Sequence, residues 1–109
     1  MVGKIKKEII ITVGGSEAID IALRAMVDPG DEVLIPQPSY VSYEPCAILA
    51  GAKPVIINLK AENEFRLTAE QLENAITDKT KAIVAVDFTG QVVEAEKIRA
   101  ICDEFNLIF

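Results

Sequence analysis

The chain has 109 residues, 50% hydrophobic and 26% charged, an ordinary globular balance for one domain with one modest core. Its net charge of −6 disfavours nucleic-acid binding through a basic surface, and no apolar block approaches the roughly 20 residues of a membrane span. With no histidine and 2 cysteines, a zinc site is not expected and no Ser-His or Cys-His pair can be assembled.

The basic start, with Lys4, Lys6 and Lys7, reads as a solvated helix or arm over residues 1–7 of a single α/β domain spanning 1–109. No apolar signal stretch follows it, and Cys46 and Cys102 read as buried reduced thiols on helix faces, so the expected location is the cytoplasm. Residues 9–13 are a short β-branched run, read as a first strand. It ends at Gly14 and Gly15, and Ser16 reads as the N-cap of a helix with Ile19, Ala22, Leu23 and Met26 on its buried face. A turn over 28–31 stops that helix, and residues 32–35 form the second strand, closed by Pro36 and Pro38.

Residues 39–50 read as a second helix stopped by Gly51; with Pro45 near its first turns, its start is irregular or the regular helix begins there. A third strand follows over 54–59, with Pro54 at its start, and then a polar loop over 61–65. Thr68 and Gln71 make a capping box for a helix over 69–76. The fourth strand, 81–88, is apolar on both faces and is expected at the sheet centre. A loop over 89–91 leads to a last helix over 94–105, with Ile98, Ile101, Cys102 and Phe105 inward, and residues 107–109 begin a fifth strand. The alternation predicts an α/β fold of three layers, a mainly parallel sheet of four to five strands flanked by helices.

Three segments can carry chemistry. Gly14, Gly15, Ser16 and Glu17 join a strand to a helix start, where free N–H groups, the helix dipole and a hydroxyl suit an anion. A tight turn with an N-cap explains the same residues, and a carboxylate at Glu17 opposes a phosphate unless it points away. Tyr40 lies just past a strand's carboxyl end, where α/β folds bind ligands, and can stack on a planar ring or simply pack. Tyr43 shares its helical face and reads as structural. Asp87 and Gln91 flank another strand's carboxyl end, where each is either a ligand neighbour or part of the loop's own capping.

Taken together, these segments resemble a known family. Gly14, Gly15, Ser16 and Glu17, then 28–33, then Pro36, Gln37, Pro38, Ser39 and Tyr40, then 50–55 and 76–83, follow the order and spacing of fold-type I pyridoxal-phosphate (PLP) aminotransferases. Residues 11–82 resemble the aspartate/aromatic aminotransferase branch. That branch carries an Asn-Asn-Pro-Thr-Gly motif after the fourth strand; here Asp87, Phe88, Thr89, Gly90 and Gln91 stand instead, and 83–109 is similar to the DegT/DnrJ/EryC1 sugar aminotransferases. The resemblance implies PLP as cofactor, its phosphate at Gly15, Ser16 and Glu17, its ring against Tyr40, and Asp87 and Gln91 beside it. From charge and apolar pattern no nucleic-acid or membrane partner is expected; a homodimer is expected through exposed strand edges or, as the resemblance implies, through the family-type interface.

The family's pyridine-nitrogen aspartate follows the fifth strand, and its Schiff-base lysine comes later still. No residue here matches either, so no catalytic residue is assigned. The expectation is part of a PLP-transferase large domain, a partial cofactor-binding core without turnover alone. The alternatives are a designed or chimeric α/β scaffold with no ligand, or a fragment of a parent aminotransferase. In the family the first strand lies at the far edge of the sheet, beyond strands outside this sequence. Residues 9–13 are therefore expected to pair against the 81–88 strand, or the chain to self-associate.

Overall fold

The computed structural model describes residues 9–87, 90 and 92–109. The basic arm with Lys4, Lys6 and Lys7 lies outside them, as do Phe88, Thr89 and Gln91. Along the described residues run α1 (Gly14–Met26), β1 (Glu32–Gln37), α2 (Tyr43–Leu49), β2 (Lys53–Asn58), a 3-10 turn (Ala61–Asn63), α3 (Ala69–Ala75), β3 (Thr80–Ile83) and α4 (Ala95–Glu104). The sheet is parallel, in the order β2-β1-β3. A parallel bridge between Ala82 and Ile108 extends it, with the Ile83 N–H donating to the Ile108 carbonyl at 3.0 Å. The expected fifth strand thus begins where the sequence placed it.

β1 is the middle strand, and its residues alternate strictly between two cores. Val33 and Ile35 pack with Leu23, Val27, Cys46, Ala47 and Ala52 from the α1 and α2 side. Leu34 points the other way, into Leu72, Ile83, Ile98, Ile101 and Cys102 under α3 and α4. This is the expected three-layer arrangement, and burying each large aliphatic side chain contributes about 1.5–3 kcal/mol. Cys46 and Cys102 are free, buried thiols in opposite layers, and burial pushes the Cys102 thiol above its usual value.

Several expectations are corrected. β1 runs through Pro36 to Gln37 instead of closing at Pro36. Even-numbered residues of β1 bond toward β3 (Val84 N–H to the Leu34 carbonyl) and odd-numbered ones toward β2 (Leu59 N–H to the Gln37 carbonyl). The missing Pro36 donor therefore faces the β3 side, where the next rung would run to the Val84 carbonyl, and the regular β1–β3 ladder stops after the Val84–Leu34 bond. β3 is four residues long, shorter than the expected 81–88, and lies between β1 and the Ile108 bridge. Residues 82–84 are apolar on both faces because helices cover both, with Ile83 in one core and Val84 against the other.

α2 starts at Tyr43 and not at 39, with Pro45 in its first turn, where a missing N–H is harmless. The capping box of α3 forms as expected: the Gln71 N–H donates to Thr68 Oγ1 at 3.2 Å and the Thr68 N–H to Gln71 Oε1 at 3.3 Å. The N-cap of α1 is Val13, not Ser16. Gly14 takes φ +78°, a conformation that glycine adopts freely, and the helix starts there with Ser16 inside its first turn.

Residues 9–13 are not a strand. Ile11 is 93% and Val13 88% exposed, and β3 is flanked by β1 and by Ile108, so the expected pairing of 9–13 against β3 is not made. The sheet consequently has three strands and a bridge, not four to five strands. An open apolar groove of about 390 Å³ lies between α1 and this side of the sheet, lined by Ile19, Leu23, Met26, Val84, Ile108 and Phe109.

One buried charge ties the strand starts together. Glu32 is 6% exposed; it accepts from Thr77 Oγ1 at 2.6 Å and from Lys53 Nζ at 3.0 Å, while its own N–H donates to the Lys79 carbonyl at 2.7 Å. The Thr77 hydroxyl first, then the Lys53 ammonium, holds the Glu32 carboxyl below its ordinary 4.5. A carboxyl lowered on folding contributes stability that is full above the ordinary value and is lost as pH falls through the lowered one. Glu32→Gln is expected to cost about 1–3 kcal/mol at neutral pH and to flatten the acid limb of stability. Urea unfolding of both proteins across the acid range checks this; an unchanged acid limb in the variant would assign that limb to another carboxylate.

Candidate functional site

The carboxyl ends of parallel strands and the amino end of the following helix converge in this fold, and the candidate residues fall there. β1 ends at Gln37, and the chain turns through a cis Gln37-Pro38 bond before Tyr40. The packing of α1 on α2, with Leu23, Cys46 and Ala47 between them, brings the first turn of α1 against the start of α2. A weak contact from Cys46 Sγ to the Ser16 carbonyl, at 3.9 Å, lies along the same seam.

Three hydroxyls meet at this point. Ser16 Oγ lies 3.0 Å from the Tyr40 hydroxyl and 3.1 Å from Ser42 Oγ. The Tyr40 ring stands edge-to-face on Tyr43, with centroids 5.7 Å apart at 81°, and is 51% exposed. Tyr43 is half-buried against the α1–α2 core, the structural role its position suggested. Hydrogen bonds from Ser16 first and Ser42 second stabilise the Tyr40 phenolate and hold its phenol below the usual tyrosine range. An open groove of about 420 Å³ borders the ring, lined by Gln37, Pro38, Ser39, Val41 and Glu44. On its wall Gln37 Nε2 donates to Glu44 Oε2 at 3.2 Å.

The first turn of α1 is open to a ligand. Its N-cap, Val13, has no side chain to satisfy the helix N–H groups. A Cβ added at Gly14 or Gly15 would meet nothing within 4 Å. The Glu17 carboxylate turns back to accept from the Val13 N–H. It does not point away, as an anion site would prefer, but balances the positive end of α1 itself.

Ser16 and Tyr40 are thus brought into contact, with Gly15 and Glu17 on the same helical turn. Asp87 is used differently: its carboxylate accepts from the Val93 N–H at 2.9 Å and its carbonyl from the Gly90 N–H at 3.4 Å, so it holds its own loop. Gln91 lies outside the described residues. Ser42 is the site residue that sequence reasoning missed. Its signal was its place two residues after Tyr40 at the start of a helix, which suggests an N-cap rather than a bond to another element.

The DegT/DnrJ/EryC1/StrS aminotransferase family model matches residues 3–109. The chain belongs to this family. It is 44% identical to a putative aminotransferase of Bacillus subtilis (YugH) over 88% of this chain and 26% of that protein. It is 43% identical to the aspartate aminotransferase of Pyrococcus abyssi over 89% of this chain and 26% of that one. Among solved structures, Pyrococcus protein-A1 superimposes with a TM-score of 0.80 at 40% identity, over 88% of this chain and 26% of that one. A Thermus thermophilus aspartate aminotransferase mutant gives 0.79 at 36% identity, over 90% and 27%. The chain therefore has the fold-type I aminotransferase architecture and spans about a quarter of the length of the relatives it matches. The sugar-type and aspartate-type likenesses overlap along the chain, with no division at residue 83.

The hydroxyl cluster has a direct readout. Ser16→Ala is expected to raise the Tyr40 titration midpoint toward its ordinary 10.0, measured by phenolate absorbance. An unchanged midpoint would mean that Ser16 and Tyr40 are not in contact in solution.

Proposed function

We propose that this chain supplies the phosphate- and ring-binding segment of a PLP-dependent aminotransferase, and that by itself it binds the cofactor without turnover. The observation that carries the reading is the 3.0 Å contact between Ser16, in the first turn of α1, and Tyr40, whose ring is half-exposed. PLP is a planar ring bearing a phosphate monoester, and it needs an anion site and a stacking surface side by side. The open glycine turn with the Ser16 hydroxyl suits the phosphate, and the exposed Tyr40 face suits the ring. The residues that would hold it are Gly15 and Ser16 at the phosphate and Tyr40 at the ring; Asp87 and Gln91 are proposed as neighbours on the family likeness alone. When bound, PLP supplies an electron sink. The parent reaction in this reading is amino-group transfer between an amino acid or amino sugar and a 2-oxo acid or keto sugar.

Binding without turnover is supported by where the described lysines sit; Lys4, Lys6 and Lys7 lie outside the described residues. Lys53, Lys79 and Lys81 lie at the amino ends of β2 and β3, at the opposite end of the sheet from Tyr40. Lys60 and Lys97 pair with Glu62 and Glu94. Titration of the chain with PLP, followed by borohydride reduction and intact mass, tests both halves of the proposal. Saturable binding without a single stoichiometric lysine adduct is expected. One such adduct would overturn the no-turnover half, and absence of binding would overturn the whole. Glu17→Gln is expected to tighten the complex, because it removes the carboxylate that competes for the α1 N-terminus, whereas Ser16→Ala weakens it.

Homodimerisation belongs to the same proposal. The exposed Ile9, Ile10, Ile11 and Val13 and the apolar groove beside α1 are two large apolar surfaces on one chain. Sedimentation of the chain is expected to show a dimer that dissociates on Ile11→Lys; a monomer at all concentrations removes this part.

A further inference from the structure

We propose that Ser42 is a positioning residue for the anion end of this site: held from α2, it occupies the Ser16 oxygen and leaves the single Ser16 hydrogen for a phosphate at the start of α1. This rests on the cofactor-binding reading above and adds a residue to it.

Ser42 sits at the N-cap of α2, where a serine ordinarily accepts a hydrogen bond from its own helix, an interaction that contributes about 0.5–2 kcal/mol. It makes no such bond. Its backbone is helical, φ −81° and ψ −17°, not the extended form in which an N-cap side chain reaches its own first turn. The hydroxyl goes instead to another element, 3.1 Å from Ser16 Oγ on α1. The local role that the sequence offers Ser42 is given up for a bond between helices.

Hydrogen counting gives that bond its consequence. A serine hydroxyl has one hydrogen and two lone pairs. Ser16 has two hydroxyl neighbours, Tyr40 and Ser42. When both donate, the two lone pairs of Ser16 are filled and its own hydrogen is free for an acceptor at the α1 N-terminus. Without a ligand, that hydrogen can turn to Tyr40, 3.0 Å away, in keeping with a phenol held below the usual tyrosine range. An anion that captures the Ser16 hydrogen reverses this and raises the phenol. The surrounding carboxylates have partners of their own, Glu17 at the Val13 N–H, Glu44 at Gln37 and Asp20 Oδ2 at Arg24, 2.9 Å away, while the buried Asp20 Oδ1 has none among the described residues. The remaining titratable groups on α2 are Tyr43 and the buried Cys46 thiol. Among the described residues, hydroxyls and not a cation therefore lower the Tyr40 phenol.

The chain has 2 tyrosines and no tryptophan, so Tyr43→Phe leaves Tyr40 as the sole phenol and keeps the ring packed against it. In that background, phenolate absorbance is titrated for the parent, Ser42→Ala and Ser42→Thr, each with and without inorganic phosphate. The expected result has three parts. Ser42→Ala raises the Tyr40 midpoint and Ser42→Thr restores it. Phosphate raises the midpoint in the parent, and in Ser42→Ala the same rise needs more phosphate. Phosphate affinity falls roughly 2- to 10-fold in Ser42→Ala, the scale of one hydrogen bond. If Ser42→Ala does not fold by circular dichroism, Ser42→Cys makes the same comparison. A Tyr40 midpoint and phosphate affinity that ignore Ser42 overturn the proposal while leaving the binding reading intact. A parent that binds neither phosphate nor PLP overturns the reading, and the role of Ser42 with it.

Discussion

Burial of β1 on both faces is the constraint on which the rest of this structure depends. Val33, Leu34 and Ile35 are 0–1% exposed, in three successive positions of one strand. Successive strand side chains point to opposite faces, so a strand dry on both sides needs a helical layer on each. α1 and α2 supply one layer, and α3 and α4 the other. Parallel partners on either side then follow from the crossover helices, because a parallel pair cannot be closed by a tight turn. Glu32 secures the amino ends of the same strands through Thr77 and Lys53. The carboxyl ends are thereby left together at the opposite end, where the candidate site lies.

The site is a by-product of this layering. Packing α1 and α2 on one face places the first turn of α1 beside the chain that leaves β1. The glycine pair opens that turn, and Tyr40 faces it across a hydroxyl contact. The same packing holds Tyr43 against the core, so the two tyrosines divide into a structural ring and an exposed one. The Glu17 carboxylate at the positive end of α1 gives that helix end an internal counter-charge. Against this the open apolar groove between α1 and Ile108 marks where the layered arrangement leaves surface uncovered.

Much of the fold was legible in the residues themselves. The alternation of strand and helix signals, the capping box at Thr68 and Gln71, and the inward faces of α1 and α4 rest on contacts a few residues apart, which the chain's own order dictates. The errors came where a distant partner decides. Residues 9–13 have strand composition but lack a ladder, because a strand exists only where an edge is available to it. Pro36 looked like a stop, yet it lies within β1, because its missing donor ends only the pairing with β3 while the pairing with β2 runs on to Gln37. Ser16 looked like an N-cap, but Gly14 starts the helix earlier and releases the hydroxyl for other use.

The site divides along the same line. By itself the sequence determined the family likeness, the glycine turn opening α1, and an aromatic residue just past a strand end, because these are patterns of local chemistry at fixed spacing. Only the tertiary structure decided that Ser16, Tyr40 and Ser42 meet, that Asp87 holds its own loop, and that Glu17 turns toward the helix end. The physical reason is range. Ser16 and Ser42 stand 26 positions apart in the chain, and their 3.1 Å contact exists only once β1 is buried and both helices are packed on the same face.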